Sequence, residues 1–248
     1  MACDWTPLRA ALARYRADGL DLPFWWRDDD AVAATPALDR LAALGARTGM
    51  PIHLAIIPAH AQDTLVQAID PDRLVPVVHG WAHHDHSAGD DKKNEFMTQR
   101  PDAARDAARA MERMRHLFGV QLRPMFVPPW NRVSADVIRG LPAQGYTALS
   151  TFGPRKAPDA APGLAQINTH IDPIWWKGTR DLVEPDQLIT QTCAHLDARR
   201  AGVEDHTEPF GILTHHLVHT DAIWNFTAAF VQEMQDGGAT PWTTETTT

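Results

Sequence analysis

The sequence predicts an α/β fold, a parallel sheet closed or nearly closed into a barrel. Three observations carry that prediction. Short apolar runs alternate with longer amphipathic stretches along the chain. About seven strand–helix units can be counted, one short of the usual eight. No linker is long enough to divide the 248 residues, and that length suffices for one large core.

The elements justify themselves in order. PFWWR (23–27), IHLAIIP (52–58) and LVPVVH (74–79) are apolar runs of strand length, as are MFVPP (125–129), TALSTF (147–152), LAQINTHI (164–171) and FGILTHH (210–216). Between them lie stretches of helical character. In TPALDRLAALGARTG (35–49), Thr35 is placed to cap the helix and Pro36 to occupy its first position. In RPDAARDAARAMERMRHLFG (100–119), Met111, Met114 and Phe118 recur at helical spacing, and Gly119 is a natural stop. DTLVQAI, SADVIRGL, EPDQLITQTCAHLDARRAG (with Gly202 as its stop) and DAIWNFTAAFVQEMQDGG complete the helices. The Pro-rich stretch GPRKAPDAAPG, 153–163, reads as a surface loop. One domain is expected over 1–240, with a disordered tail over 241–248 that ends in TTETTT.

Composition narrows the function. Lys and Arg number 23 against 31 for Asp and Glu, a formal charge of −8. That balance argues against unspecific nucleic-acid binding, which needs a basic face. Cys3 and Cys193 form no CxxC pair, so neither a disulfide framework nor a thiolate zinc site is expected. No segment has the roughly 18 apolar residues of a membrane span. The N-terminal stretch has charges within its apolar pattern and does not read as an export signal, so a cytoplasmic location is expected. The chain contains no GxSxG, GxGxxG or GxxxxGK[ST] pattern.

Polar residues gather at one end of the apolar runs. PFWWR is followed by Asp28-Asp29-Asp30, LVPVV by His79-Gly80-Trp81-Ala82-His83, and MFV by Pro128-Pro129-Trp130-Asn131. LAQIN runs into His170 and Asp172, and FGIL into His215-His216. In parallel α/β folds the C-terminal strand ends hold the functional residues. His79 and His83 are four apart, which on a helical turn puts both rings on one face. Two imidazoles and a carboxylate make a facial site for zinc or a similar ion. A histidine-rich surface turn is the other reading of this pair, and an exposed acidic turn or a helix cap the other reading of the three aspartates.

WWRDDDAV, HGWAH, FVPPWN and GILTHH, in this order over residues 24–216, resemble the motifs of the polysaccharide deacetylases, the fourth family of carbohydrate esterases. The resemblance implies a distorted seven-stranded (β/α) barrel, TIM-barrel-like, and a divalent metal, usually zinc (Zn2+), held by Asp30, His79 and His83. It implies Asp29 as catalytic base, with Asp28-Asp29 as the alternative frame. It gives the Trp130 backbone N–H to the oxyanion and makes His215, or else His216, the general acid. The family's wall motif carries an Arg that pairs with the base; Val127 stands there, leaving Arg27 and Arg132 as candidates to replace it. Ala31 follows the Asp pair where the family has Gly. Asp172 with Trp175 or Trp176 is a loose match to the Asp-and-Trp pattern that tunes the acid.

The activity implied is hydrolysis of an N-acetyl group on an amino sugar or glycoconjugate precursor, by a water that the metal activates. Trp25, Trp26, Trp81, Trp130, Trp175 and Trp176 lie near strand ends, where indoles could form a sugar-stacking wall. Two alternatives stay open: an amidohydrolase acting on cyclic amides or other small C–N substrates, and a non-catalytic carbohydrate-binding protein on the same barrel.

Overall fold

The computed structural model describes residues 3–89, 91–98 and 100–244. Helix α1 (Thr6–Ala17) precedes β1 (Pro23–Ala31), α2 (Pro36–Thr48), β2 (Ile52–Ile56), α3 (Asp63–Ala68) and β3 (Leu74–His79). After a long irregular segment come α4 (Ala103–Phe118), β4 (Met125–Val127), α5 (Ala135–Gly140), β5 (Ala148–Leu149), β6 (Asp159–Ala161) and β7 (Leu164–Gln166). The chain continues through α6 (Pro185–Arg200), β8 (Phe210–Thr214), α7 (Asp221–Asp236) and β9 (Thr240–Pro241).

The hydrogen-bonded order is β6-β7-β5-β4-β3-β2-β1-β8, with β9 beside β1. All pairs are parallel except β6 with β7. Beyond β7 the chain crosses to β8. Ile171 bridges Ile212 in parallel, His170 N–H donates to Gly211 O at 2.7 Å, and Leu213 N–H donates to Ile171 O at 2.8 Å. These contacts bring the two ends of the sheet together. Strands β1 to β5, β7 and β8 thus make the expected distorted seven-stranded barrel.

Two cores follow from the alternation of side chains along each strand. Trp25, Ala55, Val77, Met125, Val127, Ala148 and Ile167 fill the barrel itself. Phe24, Trp26, Ile52, Leu54, Val78 and Ile212 face outward and meet the helices through residues such as Leu38, Met111, Leu188 and Phe230. Cys193 is half-buried against this outer core. Thr35 caps α2 as expected, its side chain accepting from Leu38 N–H at 3.1 Å.

The structure corrects the sequence in four places. Strand β1 runs through all three aspartates to Ala31 instead of stopping at Arg27. Helix α1 is an additional element that packs against α6 and α7. The 153–163 loop contains β6, which forms a hairpin with β7. Residues 241–244 depart from the expected disordered tail. Trp242 N–H donates to Phe24 O at 2.8 Å, and its ring stacks on His53 and meets Trp25 edge-on. Residues 245–248 lie outside the described residues. Among the described residues, no helix is long and apolar enough to cross a membrane.

Candidate active site

Strand β1 sorts its charged residues by face. Trp25, Arg27 and Asp29 share the side turned into the barrel, while Phe24, Trp26 and Asp28 face the helices. Asp28 is fully buried on that outer side. It accepts from Thr214 Oγ1 at 2.6 Å and from the His216 backbone N–H at 3.0 Å, and its Oδ1 lies 2.5 Å from His216 Nδ1. Burial opposes charge on both partners, but each holds the other ionised: Asp28 falls below its ordinary pKa and His216 rises above its own. Asp28 is therefore committed to β8. Asp29 and Asp30 are left to the barrel mouth.

The register of β1 against β2 shifts between Asp28 and Ala31, and Asp30 adopts a left-handed φ of 76°. This bulge turns Asp30 to the barrel mouth beside Asp29, although neighbours on a regular strand would face opposite ways. His79 ends β3, and its Nε2 lies 3.1 Å from Asp30 Oδ1. His83 Nε2 lies 3.4 Å from the same oxygen. The three residues offer ligand atoms within 4.8 Å of one another. The two histidines do not meet on a helical turn, as their spacing suggested. Residues 80–86 have no regular secondary structure, and His83 has a left-handed φ of 55°.

The donor set fits a divalent cation. His79 Nδ1 lies 3.0 Å from Val127 O and must donate to it, since a carbonyl only accepts. In the neutral ring, Nε2 then turns a lone pair toward the Asp30 carboxylate. Two acceptors face each other, an arrangement that a shared proton or a cation resolves. With no cation present, burial pushes the His79 pKa down, but Asp29 and Asp30 outweigh it and raise it. Burial likewise pushes Asp30 up, and its His79 hydrogen bond and the surrounding imidazoles outweigh it and lower it.

Arg27 takes the place of the arginine missing at Val127. Its Nε lies 2.9 Å from Asp29 Oδ1, and an N–H at the other end of the fork donates to Oδ2 at 3.1 Å. The same guanidinium donates to Ser150 Oγ at 2.7 Å and to Asn131 Oδ1 at 2.7 Å. Arg132 reaches instead to the Lys93 carbonyl. Ser150 and the Asn131 side chain were missed from sequence. Of the two arginines left as candidates, Arg27 makes the contact, because β1 continues past it and residues two apart share a strand face.

Trp130 stands beside His83, and His215 beside Trp176. Trp130 has a left-handed φ of 55°, and its ring lies 4.2 Å from that of His83. Its N–H finds no protein acceptor among the described residues. His215 meets Trp176 edge-on at 4.7 Å, and Trp176 Nε1–H donates to Asp172 Oδ2 at 2.7 Å. Burial raises the Asp172 pKa, and the charge of His215 opposes that rise. His216 faces the helices, so His215 is the one at the mouth. Trp25 and Trp26 are core residues with no exposure, and Trp81 is half-buried beneath Arg109. Trp175 and Trp176 remain exposed, at 52% and 41%. Of the five described non-glycine residues with positive φ, four (Asp30, His83, Trp130 and Asn131) line this mouth. Such strain clusters where surroundings hold a working geometry.

No family model and no curated protein matches the chain in sequence. Solved structures do match it in shape. A family 4 carbohydrate esterase from Streptomyces lividans, in complex with acetate, aligns over 90% of this chain and 92% of its own, with a TM-score of 0.56 and 14% identity. The T48 deacetylase, solved with substrate, aligns over 90% and 88%, with a TM-score of 0.55 and 16% identity. The chain has the carbohydrate-esterase family 4 fold. A pseudoenzyme of that family from Bacillus anthracis also aligns, over 88% of this chain and 62% of its own, with a TM-score of 0.55 and 12% identity.

Proposed function

We propose that this chain is a metal-dependent N-deacetylase that removes acetyl groups from an amino sugar or glycoconjugate precursor. The convergence of Asp30, His79 and His83 beside the arginine-held Asp29, at the mouth of a deacetylase-type barrel, is the observation that carries the reading. Asp30, His79 and His83 hold the cation, taken as zinc for its nitrogen and oxygen donors. Such an ion supplies Lewis acidity, making a water more acidic and an amide carbonyl more electrophilic.

The chain's own groups do the rest. Asp29 takes the proton of the attacking water, and Arg27, itself held by Ser150 and Asn131, keeps that carboxylate in place. The Trp130 N–H donates a hydrogen bond to the carbonyl oxygen as negative charge develops there. His215 gives a proton to the departing amine, with Trp176 and Asp172 fixing its ring. The exposed Trp176 offers a sugar a face to stack on.

Acetate release from a panel of acetamido sugars and cyclic amides, with and without a chelator, tests the reading. Chelation should abolish release and zinc should restore it. Asp30→Ala and His79→Ala should lose bound zinc, and wild-type metal content in both would refute the ligand assignment. Release of amine from cyclic amides alone would favour the small-amide reading. The Arg27–Asp29 pair weighs against a non-catalytic binding protein, since the base keeps its partner despite Val127.

A further inference from the structure

We propose that Glu95 is a positioning residue of the cation site: its buried carboxylate locks the turn that presents His83. The inference rests on the cation reading above. Glu95 belongs to the irregular segment between β3 and α4, beyond the turn that carries His83, and is only 1% exposed. Its Oε2 accepts from Trp81 N–H at 3.1 Å and its Oε1 from Ala82 N–H at 2.8 Å. These are two of the three residues between His79 and His83. The third, Gly80, donates its N–H to Val127 O at 3.0 Å, the carbonyl that also receives His79 Nδ1–H. The turn makes no helical hydrogen bonds of its own, so external acceptors hold it. Glu95 is the side chain among them.

Two further features fit this role. Gly80 has a φ of 55°, and a Cβ on it would lie 2.3 Å from Glu95 Oε2 and 2.5 Å from Pro129 Cδ. Its missing side chain is what lets the carboxylate reach the turn. Glu95 is itself fixed from the core. Phe96 is fully buried, packs edge-on to Phe126 at 5.1 Å, and its carbonyl accepts from Ser134 N–H at 3.0 Å. Arg100 Nε–H donates to the Glu95 carbonyl at 3.3 Å. A carboxylate matches two adjacent N–H donors with two acceptor oxygens. A glutamine offers one acceptor and sets an NH2 group against the second donor.

The test is zinc affinity of the metal-free protein, measured by competition with a chromophoric chelator, together with its thermal melt. Glu95→Ala should weaken zinc binding about tenfold to a hundredfold, the scale on which groups that orient metal ligands act, and Glu95→Gln should fall between it and wild type. Leu196→Ala, a cavity in the outer core, should melt lower but keep wild-type affinity. Affinity within twofold of wild type in Glu95→Ala overturns the inference, as does an equal loss in Leu196→Ala. If Glu95→Ala does not fold, Glu95→Gln decides by the same twofold criterion. Wild-type protein that takes up no zinc overturns the cation reading and this inference together. Zinc uptake with unchanged affinity in the Glu95 variants overturns this inference alone.

Discussion

Arg27 and Asp29 are buried as a pair, and neither has water to fall back on. A buried ion pair contributes little net stability, but removing one partner strands the other charge. Arg27→Met should therefore lower unfolding stability by about 3–5 kcal/mol in urea titration. Arg27→Lys should recover part of this, since one ammonium cannot reach Asp29, Ser150 and Asn131 with the geometry of a planar fork. Asp29→Asn should keep the zinc content and lose about 10²–10⁴ in kcat. Unchanged turnover with metal retained would remove Asp29 as the base. At this scale the three aspartates show how far sequence reaches. Their acidity and their position just beyond an apolar strand were legible, but the strand was expected to stop at Arg27, and Arg27 was one of two candidates to pair with Asp29. Asp30 was assigned to the cation only through the family likeness, because the bulge that turns it depends on pairing with β2 and leaves no mark on the local pattern.

Strands β1 and β8 form the seam on which the site is assembled. Trp26 Nε1–H donates to Thr214 Oγ1 at 2.7 Å, and the Thr214 hydroxyl in turn donates a hydrogen bond to Asp28 Oδ2 at 2.6 Å. Trp25 Nε1–H donates to Asn168 O at 3.0 Å across Gly211, where a Cβ would lie 2.3 Å from that nitrogen and 2.9 Å from that oxygen. Gly211→Ala should cost about 1–3 kcal/mol by overpacking, read as a lower urea midpoint with an unchanged m value. Apolar length and period placed all seven barrel strands. Spacing misled at the HxxxH stretch, because a four-residue separation marks one face only if the segment is helical, and Glu95 and Val127 hold it in another shape. Helix α1 and strand β6 escaped notice for different reasons: α1 is buried by α6, distant in the chain, and β6 is a three-residue strand without a buried face inside a Pro-rich stretch.

For the whole molecule, the buried histidines set the response to acid. Burial pushes His53 and His170 down to about 4, from an ordinary value of 6.5. Between those values the unfolded chain binds protons that the folded chain refuses. The contribution of these two histidines should be full above pH 6.5 and fall as pH drops toward 4, by on the order of 3 kcal/mol each, while His79 and His216, raised above 6.5, act with the opposite sign. Urea titrations from pH 7.5 to 4.5 would show this as a falling midpoint, and His53→Gln should flatten the slope; a level profile would contradict it. His53 also accepts from Thr244 N–H at 3.2 Å, so the last described residues are tied to the same group. Trp242 closes the end of the barrel opposite the aspartates, pairing beside the first residues of β1. A ribosome delivers that indole after every strand of the barrel has already emerged. Until it arrives, Trp25 and His53 lie uncovered, so replacing Trp242 with Ala should yield a protein more prone to aggregate even though the mouth that holds Asp29 and Asp30 is untouched.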